Sequence, residues 1–359
     1  MKPIRVLVVD DSALARQIIT AGLSQDPSIE VVGSASDPFV AKDQIVNLMP
    51  DVMTLDVEMP RMDGVEFLRR LMPQFPIPVI MVSSLTVRGK QITLDALEAG
   101  AVDFVTKPSE DQSRRLQDLI MELRTKVKIA ATANVSHWKG KRVQIPVKPK
   151  SGRALEESTD KVIAIGASTG GTEALRSMLP FFPADTQGMV VVQHMPPGFT
   201  KMFADRLNQV CAMEVKEAED GDRVLRGRIL IAPGGRQMRV KRSGGTYIVR
   251  LGETEKVSGH CPSVDVLMHS VAEEVGANSI GVLMTGMGAD GAEGMVALRA
   301  RGGRTVGQDE ATCVVYGMPK VAYEKGGVEI QRPLAGLAQA TLDFLKAGGH
   351  TRLTGRTGT

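Results

Sequence analysis

Three side chains in the second half of the chain have the types that hydrolytic acyl transfer needs: Ser168, His194 and Asp290. Each follows an apolar run. Val162-Ile163-Ala164-Ile165 leads into Gly166-Ala167-Ser168-Thr169-Gly170-Gly171-Thr172. Met189-Val190-Val191-Val192 leads into Gln193-His194, and Ser279-Ile280-Gly281-Val282-Leu283-Met284 into Thr285-Gly286-Met287-Gly288-Ala289-Asp290-Gly291. Such runs read as buried parallel strands, and open α/β sheets gather ligands at the carboxyl ends of their strands. A nucleophile, a base to take its proton and a carboxylate to hold the imidazole tautomer would converge there. Gly166-x-Ser168-x-Gly170, followed by helical spacing over Glu173–Leu179, fits a strand–turn–helix nucleophile elbow. The helix N-terminus then offers backbone N–H groups to an oxyanion, with Thr169 the local candidate.

Other readings of these residues compete. A dinucleotide-binding turn would need glycine where Ser168 stands. A phosphate loop would need lysine where Thr172 stands, and the loop is too short. A plain serine or threonine helix cap stays open on the local pattern. His194 and Asp290, taken singly, read as a structural histidine and a turn residue; their joint placement favours the triad. His137 lies in a basic stretch and His350 in the tail, while His269 falls off the apolar stripe of Val264, Leu267, Met268 and Val271. His260, beside Cys261, is the competitor, but no strand end supports it. The order Ser, His, Asp differs from that of α/β-hydrolases, so the site would sit on another topology.

The first half shows a second convergence. Val6–Val9, Val31–Gly33, Val52–Leu55, Val79–Val82 and Phe104–Thr106 read as strands with a helix-length segment between each, a doubly wound parallel sheet. Their carboxyl ends carry Asp10 and Asp11, Asp56, Ser83 and Lys107. Clustered carboxylates beside a lysine suit Mg²⁺, which prefers oxygen ligands. An aspartate held against that ion can attack a phosphoryl group, and the Ser83 hydroxyl and Lys107 ammonium can hold its oxygens. Any one of these aspartates alone would read as a helix cap.

The length of 359 residues suggests about two domains. A net charge of +3 is too mild to announce a nucleic-acid partner. Cys211, Cys261 and Cys313 are odd in number and far apart, so they imply neither a disulfide framework nor a zinc site. The N-terminal apolar run is broken by Asp10 and no run is long enough for a membrane span, which points to a cytoplasmic protein. Between Glu122 and Glu156 there is no acidic residue but nine Lys or Arg, and periodicity fades after about Ala133. This reads as a basic flexible linker. The expected division is 1–122, a linker 123–158, a second α/β domain 159–348 and a disordered tail 349–359.

The first half resembles response-regulator receiver domains through Val8-Val9-Asp10-Asp11-Ser12, Asp56-Val57-Glu58-Met59-Pro60-x-Met62-Asp63-Gly64 and Thr106-Lys107-Pro108. That resemblance implies a flavodoxin-like fold with a five-stranded parallel sheet. It makes Asp56 the phosphoacceptor, has Asp10, Asp11 and Asp56 hold Mg²⁺, makes Ser83 and Phe104 the switch pair, and puts Lys107 on the phosphoryl group. The second half resembles chemotaxis protein-glutamate methylesterases through the Ser168 loop, Gln193-His194-Met195-Pro196-Pro197-Gly198-Phe199 and the Asp290 loop. Pro233-Gly234-Gly235 and His260-Cys261-Pro262-Ser263-Val264-Asp265 add to it. This implies a mainly parallel α/β catalytic domain that hydrolyses glutamate γ-methyl esters on chemoreceptors, releases methanol and deamidates receptor glutamines. Met287 is the oxyanion donor so implied, and the esterase site needs no cofactor. The implied partners are methyl-accepting receptors and a chemotaxis histidine kinase acting on a monomer, with the unphosphorylated receiver obstructing the cleft. A receiver with a binding-only output domain is the alternative.

Overall fold

Alternating apolar strands and amphipathic helices assemble into two parallel sheets. The computed structural model describes residues 2–59, 62–84, 86–107, 113–140 and 161–346. The first domain runs β1 (Ile4–Val9), α1 (Ala13–Leu23), β2 (Ile29–Ala35), α2 (Pro38–Leu48), β3 (Val52–Asp56), α3 (Gly64–Leu71), β4 (Val79–Ser83), α4 (Val87–Glu98), β5 (Asp103–Thr106) and α5 (Ser113–Ala130). Its sheet has the order β2-β1-β3-β4-β5, all parallel. The order reverses between β1 and β3, and such a switch point leaves a crevice at the carboxyl ends. Asp10, Asp11 and Asp56 border it.

The segment from residue 123, expected as linker, starts as folded helix. Helix α5 continues to Ala130, and Leu123, Val127 and Ala130 are fully buried, extending the stripe of Leu119 and Ile120. Three of the basic residues that suggested a linker, Arg124, Lys126 and Lys128, lie on that helix beside its buried stripe. Arg124 donates to the Gly22 carbonyl (2.9 Å), Lys128 pairs with Asp26 (2.6 Å) and Lys126 with Asp103 (3.0 Å). A single helical turn at 136–138 then seats Trp138 in the core. Residues 141–160 and the tail from 347 lie outside the described residues. Leu123→Ala leaves a hole in this packed seam, and chemical denaturation should show a loss of about 2–5 kcal/mol.

The second domain runs β6 (Val162–Ala167), α6 (Gly171–Met178), β7 (Met189–Gln193), α7 (Phe199–Val210), β8 (Glu214–Glu217), β9 (Arg228–Ile231), β10 (Met238–Ser243), β11 (Thr246–Leu251), α8 (Val264–Glu274), β12 (Ser279–Leu283), α9 (Ala292–Ala300), β13 (Arg304–Gln308), α10 (Met318–Glu324), β14 (Ile330–Arg332) and α11 (Leu334–Lys346). Seven strands form one parallel sheet in the order β14-β13-β12-β6-β7-β9-β8, and β10 and β11 pair as a separate antiparallel hairpin. The order reverses between β6 and β12, so β12, β6 and β7 are neighbours at the switch point. These strands are almost wholly buried, which explains their unbroken apolar runs.

The two domains are docked. The Phe104 ring, on β5, lies 4.6 Å from that of Phe199 at the start of α7, within one buried apolar cluster that spans both domains. Arg206 of α7 reaches Asp95 (2.8 Å) and Glu98 (3.3 Å) of α4 and donates to the Gln91 carbonyl (2.9 Å). Arg176 of α6 also faces Glu98 (3.6 Å), and the Asn134 N–H donates to the Val314 carbonyl (2.8 Å). Among the described residues no helix is long and apolar enough to cross a membrane.

Candidate active site

Ser168 and His194 stand immediately beyond β6 and β7, Asp290 lies at the end of the loop that leads from the adjacent β12 to α9, and the structure joins the three in one hydrogen-bonded chain. His194 Nδ1 lies 3.0 Å from Ser168 Oγ, and His194 Nε2 lies 2.8 Å from Asp290 Oδ2. An ionised carboxylate has no proton to give, so Nε2 carries the hydrogen and Nδ1 presents its lone pair to the serine hydroxyl.

Asp290 is fully engaged. Its Oδ1 accepts from Ser263 Oγ (2.7 Å) and the Asp265 N–H (3.0 Å), and its Oδ2 also accepts from the Val264 N–H (2.8 Å). Burial pushes this carboxyl up, but the His194 hydrogen bond and charge, with the Asp265 and Val264 N–H groups, outweigh it and hold Asp290 below the ordinary carboxylate range. Asp265 shows the opposite balance: burial and the neighbouring Asp290 charge raise it despite the Gly294 N–H it accepts. Asp290 is therefore the more acidic of the pair.

The serine is not a helix cap. Gly170 is the N-cap of α6, with φ 76°, and no side chain caps the helix. A Cβ at Gly170 would stand 2.5 Å from Val314 Cβ, so the turn tolerates only glycine. The backbone N–H groups of Thr169 and Met287 have no acceptor among the described residues. Met287 is tied to the serine through its neighbour, since a Cβ on Gly286 would lie 2.7 Å from Ser168 Cβ and 2.3 Å from Met318 Sδ. Gly286→Ala should therefore displace the nucleophile and slow labelling of Ser168 by a fluorophosphonate by about 10²-fold.

Three features of this site carried no signal in the spacing of the sequence. The His260 ring stacks on that of His194, with centroids 3.6 Å apart and planes 12° apart. The motif around His260 supplies Ser263, the N-cap of α8, to Asp290. Thr169, next to the nucleophile, donates through Oγ1 to Asp103 Oδ2 of the first domain (3.1 Å).

In the first domain Asp10, Asp11 and Asp56 each offer a carboxylate oxygen within 4.8 Å of the others, an all-oxygen set of the kind Mg²⁺ takes. Lys107 Nζ bridges Asp10 Oδ2 (2.9 Å) and Asp56 Oδ1 (3.0 Å). Burial pushes Asp56 up to about 6; Lys107 pulls against that and the Asp10 charge adds to it. The Ser83 hydroxyl is engaged by Thr93 and the Gly89 carbonyl of α4. Phe104 faces the second domain, and Lys126 lies over its ring at 5.2 Å.

Known proteins resemble both halves. A CheB methylesterase family model matches residues 163–341, and a response regulator receiver domain model matches residues 6–120. A protein-glutamate methylesterase/protein-glutamine glutaminase of Syntrophotalea carbinolica is 65% identical over 96% of this chain and 98% of its own length. One of the same description from Sulfurimonas denitrificans is 55% identical over 93% of this chain and 96% of its own length. The CheB methylesterase catalytic domain of Thermotoga maritima superposes with a TM-score of 0.51 at 37% identity, covering 52% of this chain and 99% of that domain. With a receiver domain ahead of a Ser168–His194–Asp290 relay, this chain belongs to the CheB methylesterase family.

Proposed function

We propose that this chain hydrolyses glutamate γ-methyl esters on methyl-accepting chemoreceptors, deamidates receptor glutamines by the same route, and is switched by phosphorylation of its receiver. The observation that carries this reading is the Ser168–His194–Asp290 hydrogen-bonded chain at the switch point of the second sheet. The names of the relatives support it. Comparing methanol release from methylated receptor fragments by the native chain and by Ser168→Ala tests it.

Ser168 Oγ attacks the ester carbonyl carbon and His194 Nδ1 accepts its proton, while Asp290 holds Nε2–H and stabilises the imidazolium. The Thr169 and Met287 N–H groups receive the oxyanion. On collapse of the tetrahedral intermediate His194 returns the proton to the leaving methoxide, or to the leaving amine from a glutamine. Water, deprotonated in turn by Nδ1, then cleaves the acyl-enzyme to glutamate. A binding-only output domain would have no use for this proton relay.

In the receiver, Asp56 is the nucleophile toward a phosphoryl group presented by a histidine kinase, and Lys107 stands ready to pair with the oxygens that arrive. Asp10, Asp11 and Asp56 would hold Mg²⁺, which offsets charge on the phosphoryl oxygens. In the docked state Phe104 packs on Phe199, and Asp103 holds Thr169 beside the nucleophile. Pulling Ser83 off Thr93 and Gly89 toward a phosphoryl group would shift α4 and loosen both of these links.

The carboxylate set gives a pH prediction. Burial holds the Asp56 carboxyl at about 6, so a cation should stabilise the anion and move the titration to lower pH. Carbon-13 NMR of Asp56 should show the titration near 6 without Mg²⁺ and a clear downward displacement on adding it. Unchanged titration at millimolar Mg²⁺ would remove this cluster as the metal site.

A further inference from the structure

The last residue of β7, Gln193, pairs in register with Ala167 of β6, so it stands one residue before both His194 and Ser168. Its side chain is buried, and its amide nitrogen donates to two carbonyls, those of Ser168 (3.0 Å) and His194 (3.2 Å). Both amide hydrogens are thereby used. The amide oxygen Oε1 is buried without a partner among the described residues. A buried acceptor that lacks a donor costs free energy, which an apolar side chain of similar length would avoid. The reverse orientation would set Oε1 against two carbonyl oxygens and cost more. The nitrogen is what this glutamine contributes. Oε1 also occupies the place of a side chain at Gly171, where a Cβ would stand 2.2 Å from it.

The Ser168 carbonyl belongs to the same peptide unit as the Thr169 N–H. A trans peptide is planar, so its carbonyl and its N–H point to opposite sides. Holding the Ser168 oxygen toward Gln193 therefore turns the Thr169 N–H the other way. The Gly171 N–H donates to the same carbonyl (2.7 Å), the Ser168 N–H donates to the Thr285 carbonyl (3.0 Å), and the Thr285 hydroxyl reaches the Thr169 carbonyl (3.0 Å). Of the four backbone polar groups of Ser168 and Thr169, only the Thr169 N–H is left without an acceptor among the described residues.

We propose that Gln193 is a positioning residue of the esterase: its amide, donating to the Ser168 carbonyl, holds the Ser168–Thr169 peptide with its N–H presented to the oxyanion of the transition state. This rests on the serine-esterase reading above. The same amide pins the His194 carbonyl, so one side chain ties the turn of the nucleophile to the turn of the base. Without it, rotation of a single peptide would withdraw the N–H and swing a carbonyl toward the developing negative charge. An ester carbonyl carries only partial charge, so the ground state would lose little and the loss would fall on the transition state.

The test compares Gln193→Met and Gln193→Ala with the native full chain, using Mg²⁺, a small phosphodonor and methylated receptor fragments. Methionine keeps an unbranched buried side chain without a donor, whereas alanine also leaves a cavity. Three measurements are made: kcat and KM for methanol release, the denaturation midpoint, and the nitrogen-15 signals of the Thr169 amide and the His194 ring without substrate. Gln193→Met should keep a midpoint close to the native one, lose roughly 10–100-fold in kcat and hold KM within about twofold. Its Thr169 amide signal should shift or broaden, while the His194 ring keeps a protonated Nε2. Gln193→Ala should lose kcat to the same extent but denature earlier, since activity follows the donor and stability follows the packing.

Native kcat in Gln193→Met would overturn the proposal, as would a loss confined to Gln193→Ala, because the side chain would then serve packing alone. A loss of kcat with altered His194 ring signals and a native Thr169 signal would overturn it too, since Gln193 would then act through the base. Failure of the underlying reading looks different. Methanol release surviving Ser168→Ala sinks the serine-esterase reading, whereas a native Thr169 signal in Gln193→Met sinks only the placement of that peptide by Gln193.

Discussion

Ser168→Ala should reduce methanol release by roughly four orders of magnitude or more, to the residual level that binding and oxyanion donors alone provide. The substitution removes only Oγ from a half-buried turn whose conformation is set by Gly170 and Gly286, so the fold and the docked interface should persist. Labelling of Asp56 by a phosphodonor should be unchanged, which separates loss of the nucleophile from loss of structure. Asp290→Asn is the companion case. An amide nitrogen facing Nε2 would force the proton to Nδ1, the nitrogen that must accept from Ser168, and a loss of about 10⁴-fold is expected from the wrong tautomer. Methanol release by Ser168→Ala at the native rate would leave the sheet and the relay geometry in place but assign the chemistry elsewhere.

The relay was legible in the sequence because each member follows a strand with an unbroken apolar run, and a parallel sheet brings the carboxyl ends of neighbouring strands together. What the sequence concealed has identifiable causes. Strand β13 is Arg304-Thr305-Val306-Gly307-Gln308 and β8 is Glu214-Val215-Lys216-Glu217, too polar and short to stand out from loops. The second half of α5 was hidden by its own charges, since Arg124, Lys126 and Lys128 interleave the buried Leu123, Val127 and Ala130. His260 follows no strand; it reaches His194 through a turn braced by Gln237, and no periodicity encodes the meeting of side chains from distant loops. The same holds for Asp103 and Thr169, which meet only after two separately folded sheets have docked.

That docked interface yields the second large effect. Arg206→Ala should raise the basal activity of the unphosphorylated chain by about tenfold. The Arg206 side chain is 16% exposed and meets Asp95, Glu98 and the Gln91 carbonyl together, whereas the two carboxylate side chains are 37% and 30% exposed and so partly screened. Exposed ion pairs contribute about 0.2–1 kcal/mol each; this forked arrangement across two carboxylates and a carbonyl supports about 1–2 kcal/mol for the set. Since about 1.4 kcal/mol is a factor of ten in an equilibrium, removing it shifts a docked population toward the open form by about that factor. Arg206 lies on α7, away from Ser168, so activity under saturating phosphodonor should stay near that of the native chain. The double variant with Asp56→Asn decides the mechanism: its activity should match Arg206→Ala alone and ignore the phosphodonor, because the ion pairs of Arg206 act downstream of the phosphoryl group. Basal activity unchanged by Arg206→Ala, with phosphorylation still activating, would mean that the α4–α7 ion pairs do not restrain the esterase, and the restraint would then rest on Phe104 against Phe199 and Asp103 on Thr169.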